Sequence, residues 1–175
     1  RERFLDPAGA AEPGIASTQL WLMPVSGGEA IPLTAMPGDV NDIAWSPDGK
    51  QIAFLSVDPQ SPQEKQAIAG GANWTEIDGD RHFSRLWILD LASHAARRIS
   101  PEGVNVSAMD WSPDGKRMAL RVADTTRIND FFYHSRLVLF DPANGTIGKT
   151  VLENAAEGPF WSADGRYIAF AGTDG

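Results

Sequence analysis

The sequence lacks cysteine altogether, which excludes disulfide bonds and thiolate metal sites. It also lacks any apolar run of the roughly 18 residues that a membrane span needs; residues 52–55 are among the longest. Basic residues are scarce, because 15 Lys and Arg stand against 23 Asp and Glu, for a net charge of -8. A basic face for phosphate is not expected, and we predict neither a nucleic-acid nor a membrane partner.

Catalytic and metal-binding patterns are missing as well. No Gly-x-Ser-x-Gly nucleophile elbow occurs in the 175 residues, so no residue is assigned a catalytic role. The three histidines, His82, His94 and His134, do not have the spacing of metal ligands. We therefore expect no metal and no other cofactor, and these residues leave open whether the parent protein is an enzyme.

The sequence does contain an internal repeat. The motif Trp-Ser-Pro-Asp-Gly, with Ala for Pro in the last copy, occurs at residues 45–49, 111–115 and 161–165. Its tryptophans lie 66 and 50 residues apart. A second marker, a strand-like Leu-Trp or Leu-Val pair, occurs at residues 20–21, 86–87 and 137–138, with spacings of 66 and 51. Two markers with nearly the same spacings indicate a repeated structural unit.

Each unit is predicted to be an antiparallel meander of four short strands. Pro, Asp and Gly are turn-forming residues, so the motif closes a hairpin between the first two strands. Residues 43–45 and 52–54 are apolar without clean alternation, which indicates a sheet covered on both faces. Small four-stranded sheets that repeat every 40–50 residues or so are typical of propeller blades. The predicted fold class is all-β: a partial β-propeller with about three four-stranded antiparallel blades of a larger ring.

We expect one incomplete propeller domain over residues 1–175. Its predicted parts are the end of one blade at 17–35, a blade at 40–100 with an insertion at 58–82, a blade at 104–152 with an insertion at 123–134, and the start of the next blade at 155–175. Both ends are expected to cut through blades, because the chain starts just before a third-strand element at Leu20 and stops after a second strand at Ala171. Three copies also cannot close a ring that normally takes about four to eight blades. The chain is thus predicted to be part of a longer polypeptide.

Residues that recur in the repeat are expected to be structural. They are the tryptophans Trp45, Trp111 and Trp161, the aspartates Asp48, Asp114 and Asp164, and the arginines Arg85 and Arg136. We predict that the tryptophans pack in blade cores rather than bind aromatic ligands. The aspartates are assigned to turns. The arginines are assigned a structural role repeated from blade to blade, rather than ligand binding.

The two insertions are the candidate functional segments, because long loops in compact domains are often functional. The up-and-down strand order places both on one face of the ring, opposite the hairpin turns. Residues 58–71, rich in Gln, Pro and Ala, are expected to be flexible. Further along the same insertion, the candidates for contact with substrate or a partner domain are Trp74, Glu76, Arg81 and His82. The alternative is that this segment is a solvated loop.

The repeats resemble those of a known group of propellers. The Trp-Ser-Pro-Asp-Gly-Lys hairpin, the following Ile-Ala-Phe and the later Leu-Trp-x-x-Asp strand resemble repeats of TolB-like propellers and of prolyl oligopeptidase-type serine peptidases, over residues 19–170. Residues 80–87, Asp-Arg-His-Phe-Ser-Arg-Leu-Trp, look like the propellers of dipeptidyl- and acylaminoacyl-peptidases. The resemblance is specific for the fold, because these residues form turns and fill the core.

In such peptidases an α/β-hydrolase domain of the same polypeptide supplies the catalytic Ser, Asp and His. The resemblance implies that this chain is the noncatalytic part that covers the active site and restricts access to short peptides. Its partners would then be that hydrolase domain and a short peptide substrate. Some dipeptidyl peptidases hold the substrate's amino terminus with paired glutamates, whereas Glu64 and Glu76 are well separated here. The alternative is a TolB-like noncatalytic propeller that binds protein partners.

Overall fold

The computed structural model describes residues 17–71 and 82–172 of the chain. Within these ranges it has twelve strands and two short helices. The strands are β1 (Trp21–Leu22), β2 (Ile31–Pro32), β3 (Val40–Trp45), β4 (Gln51–Val57), β5 (Ser84–Asp90), β6 (Ala95–Arg98), β7 (Asn105–Trp111), β8 (Met118–Ala123), β9 (Arg136–Asp141), β10 (Thr146–Leu152), β11 (Ala155–Trp161) and β12 (Ile168–Gly172). The helices are α1 (Pro62–Ala69) and α2 (Ile128–Tyr133).

Strands that follow one another in sequence pair antiparallel to form separate small sheets. The four strands β3 to β6 form one sheet in sequence order, and β7 to β10 form another. The pairs β1-β2 and β11-β12 lie on either side of them in the chain. The first strands β3, β7 and β11 lie next to one another in that order, as the innermost strands of successive blades do. The predicted partial all-β propeller is confirmed.

The hairpin turns share one geometry because they share a sequence. In the first turn the Gly49 N–H donates to the Ser46 carbonyl over 2.9 Å, and the Ser46 hydroxyl donates to Asp48 Oδ1 over 2.7 Å. Gly49 has a φ of 69°, which a residue with a Cβ adopts only with strain. Gly115 and Gly165 have φ values of 69° and 70°. The three turns predicted at residues 46–49, 112–115 and 162–165 are therefore present.

The second strand of each complete blade is covered on both faces. Phe54 in β4 is fully buried, and every residue of β8 is buried. The largest apolar cluster joins the two blades, since Leu86 and Ile88 of β5 pack with Leu120 and Val122 of β8. Burying an apolar side chain of this size stabilises a fold by roughly 1.5–3 kcal/mol. Face-to-face packing of neighbouring blades thus supplies the core of this chain.

The repeat tryptophans differ in their surroundings. Trp111 is 7% exposed and packs in the cluster between the two complete blades, and Trp161 is partly buried in a second cluster with Leu137. Trp45 is 50% exposed. The predicted core packing therefore holds for Trp111 and partly for Trp161, but not for Trp45. Trp111 packs against the blade that precedes it, whereas the described strands before Trp45 are only β1 and β2.

Helix α1 occupies the segment that was expected to be flexible, residues 58–71. The Ser61 N–H donates to Glu64 Oε2 over 2.6 Å, and the Glu64 N–H donates to the Ser61 hydroxyl over 3.2 Å. This reciprocal pair is a capping box, and Pro62 suits the first helical position because it needs no N–H partner there. A local signal thus starts a helix in this segment, which was not predicted from the sequence. Neither described helix is long and apolar enough to cross a membrane.

Candidate functional site

A groove of about 510 Å³ opens at one rim of the ring. It is lined by His82 of the first insertion, by four residues of the second insertion, and by the ends of β3, β4 and β7 that lie away from the hairpin turns. The two insertions therefore meet on one face, as the strand order predicted. The volume falls in the range of about 300–1,000 Å³ that is typical of ligand sites. This groove is the candidate functional site.

An ion pair formed by a buried arginine and a partly exposed aspartate closes the base of the first insertion, residues 58–82. Arg85 at the start of β5 is only 5% exposed, and its Nε donates to Asp58 Oδ2 over 2.9 Å. Its Nη1 donates to the Val104 carbonyl, just before β7 of the next blade, over 3.2 Å. The guanidinium carbon lies 4.3 Å from the centre of the Phe83 ring. Arg85 thus joins the entry and exit of the insertion and attaches both to the neighbouring blade.

The second insertion, residues 123–134, is closed in the same way. Arg136 at the start of β9 binds the carboxylate of Asp124, which directly follows β8. Asp58 and Asp124 each follow a repeat tryptophan by 13 residues, so the two ion pairs occupy equivalent places. The second pair is more exposed, with 32% of the Arg136 side chain and 72% of the Asp124 side chain open to solvent. These contacts agree with the repeated structural role predicted for the arginines.

A further buried arginine attaches helix α2 to the next blade. Arg121 in β8 is 6% exposed, and its guanidinium donates to the Ala156 carbonyl in β11 and, over 3.5 Å, to the Phe131 carbonyl in α2. Its guanidinium carbon lies 4.2 Å from the centre of the Phe131 ring. Burial lowers the pKa of Arg121, an effect that Glu157 partly opposes. The position of α2 is therefore fixed by a charged group held inside the sheet.

Helix α2 forms an aromatic wall on one side of the groove. The Phe131 and Phe132 rings meet edge to face, with centroids 5.0 Å apart and planes at 90°. Phe132 is 58% exposed. Asp130 accepts a hydrogen bond from the Thr125 hydroxyl before the helix and lies 2.8 Å from Nδ1 of His134 after it. These two contacts, Thr125 first, lower the pKa of Asp130. The wall is apolar on its surface and held at both ends by polar contacts.

The opposite side of the groove is polar. Asn105 at the start of β7 accepts a hydrogen bond from the Ser84 N–H through Oδ1, over 2.8 Å. Asp42 lies at a bulge in β3 with a φ of 45°, a conformation that costs strain for a residue with a side chain. Partial burial raises the pKa of Asp42; hydrogen bonds from the Ile43 and Met109 N–H groups partly oppose this, and repulsion from Asp110 adds to it. Among the described residues, Asp42 forms no ion pair with a cation.

The structure describes one of the four candidate contact residues of the first insertion. His82 lines the groove, and its Nε2 lies 3.0 Å from Oε1 of Glu64 in helix α1. This contact joins the two ends of the insertion. The other three candidates, Trp74, Glu76 and Arg81, lie outside the described residues, so their contact with a substrate or partner stays a prediction.

The aromatic wall, Asp42 and Arg121 are site residues that the sequence did not single out. The residues of α2 show neither a strong cap nor a helical apolar period, so nothing local marks them. Arg121 did carry a signal, since it stands alone as a charge within the apolar strand Met118–Ala123. In residues 17–71 and 82–172, no three His, Asp or Glu side chains are grouped so as to hold a metal ion.

Comparison with known proteins places the repeat among propellers. The family model for the WD domain, G-beta repeat, matches residues 31–73. A curated protein of Bacillus subtilis (strain 168), described as the uncharacterized peptidase YuxL, is 27% identical over 185 residues. The match covers 89% of this chain and 25% of that relative, so the chain spans about a quarter of the relative's length.

Two solved TolB structures share the architecture. TolB from Acinetobacter baumannii is 18% identical with a TM-score of 0.56, over 86% of this chain and 31% of that one. A protein from Agrobacterium tumefaciens described as "putative TolB" is 19% identical with a TM-score of 0.58, over 89% of this chain and 51% of that one. At these identities the likeness is one of fold. Together with the peptidase relative, it confirms the resemblance to TolB-like and peptidase propellers that the repeats indicated.

Proposed function

We propose that this chain is the noncatalytic propeller portion of a prolyl oligopeptidase-type serine peptidase. In this proposal it covers the active site of an α/β-hydrolase domain of the same polypeptide and restricts access to short peptides. The observation that supports it most is the meeting of two insertions around a groove at one rim, in a propeller whose curated relative is described as a peptidase. Because the 175 residues contain no nucleophile elbow, the proposal leaves the catalytic chemistry to the hydrolase domain.

The rim is built to keep its shape. Arg85 with Asp58 and Arg136 with Asp124 close the two insertions, and Arg121 attaches α2 to the following blade. A rim held in this way would screen substrates by size, since an extended peptide can enter where a folded protein cannot. The substrate would then reach the hydrolase domain past the groove.

The contact residues proposed within the first insertion are Trp74, Glu76, Arg81 and His82. Aromatic and charged side chains of these kinds are common anchors in binding interfaces. His82 supports this proposal by its place at the groove. Under the competing proposal of a solvated loop, the same residues would contact neither the peptide nor the hydrolase domain.

The second candidate function is a TolB-like propeller that binds protein partners without catalysis. The two TolB structures favour it through their fold, with TM-scores of 0.56 and 0.58. It would apply if the polypeptide that carries this chain hydrolysed neither peptides nor esters. A stable complex with another protein, formed through the propeller, would then support it.

The test of the peptidase proposal uses the polypeptide that carries both this chain and its hydrolase domain. Residues 74–80 are replaced by a short Gly-Ser link, and kcat/KM is measured for a set of peptides and for a small activated ester. We expect the peptide values to change and the ester value to stay the same, because the ester needs the hydrolase site but little of the propeller.

The matched control replaces residues 26–29 by the same link. These residues form an exposed turn between β1 and β2, away from the groove. The control should change neither activity. If the 74–80 exchange altered peptide and ester hydrolysis equally, or altered neither, the solvated-loop alternative would stand.

A further inference from the structure

We propose that the groove between the two insertions binds an apolar side chain of a short extended peptide, and that its acidic side disfavours acidic peptides. The inference rests on the proposed function and deepens it, because it states which peptides the propeller would favour. It is carried by three properties of the groove: one apolar wall, one side that can bind a peptide backbone, and the Asp42 carboxylate, which forms no ion pair with a cation among the described residues.

The apolar wall leaves large side chains open to water. Phe132 is 58% exposed, Phe131 37% and Ile128 36%, and all three line the groove. Leu55 and Val57, at the end of β4, extend the apolar lining. An apolar side chain placed against this wall would remove area from water on both partners, which is favourable. Because Arg121 fixes Phe131 through its ring and carbonyl, the wall would not need to form on binding.

The polar side offers partners for a peptide backbone. A carboxamide both donates and accepts hydrogen bonds, as a peptide group does. The carboxamides of Asn41 and Asn105, on the neighbouring strands β3 and β7, both line the groove. The Asn105 side-chain oxygen accepts a hydrogen bond from the Ser84 N–H, and no hydrogen bond from the Asn105 amide nitrogen to a described residue is seen. One apolar wall and one carboxamide side suit an extended peptide better than a purely apolar or purely ionic ligand.

The charge of the groove sets a preference among peptides. The Asp42 carboxylate has Asp110 near it and no cationic partner among the described residues. Among the described lining residues, the imidazole of His82 lies against the Glu64 carboxylate. The arginines Arg85 and Arg136 are bound to carboxylates of their own. Among the described residues that line the groove, none is Lys or Arg, so an acidic side chain beside Asp42 would meet repulsion, whereas a neutral or basic one would not.

The experiment uses sets of short peptides that are identical except at one position. In each set that position carries Leu, Lys or Asp, and a separate set is made for each position of the peptide. The experiment measures kcat/KM and KM with the full polypeptide and two groove variants. At the peptide position where Leu is preferred over Asp, Phe132→Ser should raise KM for the Leu peptide about tenfold, because the apolar contact with Phe132 is lost. Asp42→Asn should raise kcat/KM for the Asp peptide about fivefold relative to kcat/KM for the Leu peptide. Asn tolerates a positive φ, so this variant should fold normally.

The control variant is Tyr167→Ser, which removes an equally exposed aromatic group (64%) at the hairpin-turn end of β12. It should change no peptide preference, and the small activated ester should respond to none of the variants. If the polypeptide hydrolyses neither ester nor peptide, the proposed function fails. The groove is then tested by fluorescence anisotropy of the same peptides carrying a fluorophore, with the same order of preference expected. Equal binding of Leu, Lys and Asp peptides, or an equal loss in Phe132→Ser and Tyr167→Ser, would overturn the inference.

Discussion

Arg85 Nε lies 2.9 Å from Asp58 Oδ2, so the residue at the exit of the first insertion binds the residue at its entrance. The same contact recurs in the next blade between Arg136 and Asp124 with much more exposed side chains. The two pairs therefore form a natural comparison of one interaction at two levels of burial.

We predict that Arg85→Lys lowers the free energy of unfolding by about 1–3 kcal/mol, because Lys lacks the planar fork that reaches both Asp58 and the Val104 carbonyl. Arg136→Lys, at the exposed equivalent position, should cost less than about 1 kcal/mol. Urea unfolding of both variants measures the difference. Equal costs would show that burial of Arg85 adds nothing to the strength of its pair.

Gly38→Ala should destabilise the chain by about 1–3 kcal/mol. A Cβ at residue 38 would lie 2.0 Å from the Val57 carbonyl oxygen, and a backbone atom within β4 cannot move away without disturbing the sheet. The control is Gly70→Ala, whose Cβ would meet its nearest atoms at 3.4 Å and should change stability by no more than about 0.5 kcal/mol. Thermal unfolding of the two variants decides the matter, and a stable Gly38→Ala protein would contradict the close approach.

The turn at residues 46–49 can be tested at Gly49. Gly49→Val should cost on the order of 1–3 kcal/mol, because a β-branched residue is strained at a φ of 69°. No atom lies within 4 Å of the added Cβ, so the cost comes from the backbone rather than from a clash. Gly49→Asn should cost less, since Asn accepts positive φ more readily. An unchanged melting temperature for the Val variant would argue against the assigned turn.

Acid should weaken the hairpin turns. The Ser112 hydroxyl first, and then the Lys116 N–H, lower the pKa of Asp114 below its ordinary value of 3.8. A carboxyl whose pKa is lower in the folded state stabilises the fold above its unfolded pKa and loses that contribution as the pH falls through its folded pKa. We therefore expect stability to fall below about pH 4 less steeply in Asp114→Asn than in the parent chain. Urea midpoints measured at a series of pH values test this, and parallel profiles would refute it.

The chain by itself, without a hydrolase domain, should hydrolyse neither peptides nor esters, because it contains no nucleophile elbow. The measurement is turnover of a fluorogenic peptide and an activated ester by the purified 175-residue chain. Turnover that follows the chain through purification and is blocked by a serine-directed phosphonate probe would show a nucleophile that the sequence pattern does not reveal.

The repeat predicted the blades well because its residues act locally. Ser46, Asp48 and Gly49 form their turn almost entirely among themselves, so the same sequence gives the same hairpin wherever it occurs. The exposure of Trp45 could not be predicted from its local sequence, because burial of that position depends on strands of another blade. Local chemistry was visible in the sequence, whereas the packing between blades was not.

The site was predicted only in its location. Strand order placed both insertions at one rim, yet the groove depends on Arg121 reaching carbonyls in α2 and β11, which no local pattern encodes. Two signals were present and informative. The Ser61 to Glu64 capping box marks helix α1, and the equal distance of Asp58 and Asp124 from their tryptophans marks the ion pairs.

The ion pairs at the base of the insertions bear on how such a rim can diversify. The ion pair between Arg85 and Asp58 joins the two ends of the first insertion at the edge of its blade, so the insertion forms a loop whose ends are held together. The entropy cost of closing a loop grows only slowly with its length, by about 0.6 kcal/mol for each doubling. Segments of different length and composition could therefore be exchanged between these anchors at small thermodynamic expense. The strands of the blade and the ion pair would stay the same, while the length and sequence of the insertion, and so the surface at the rim, would change.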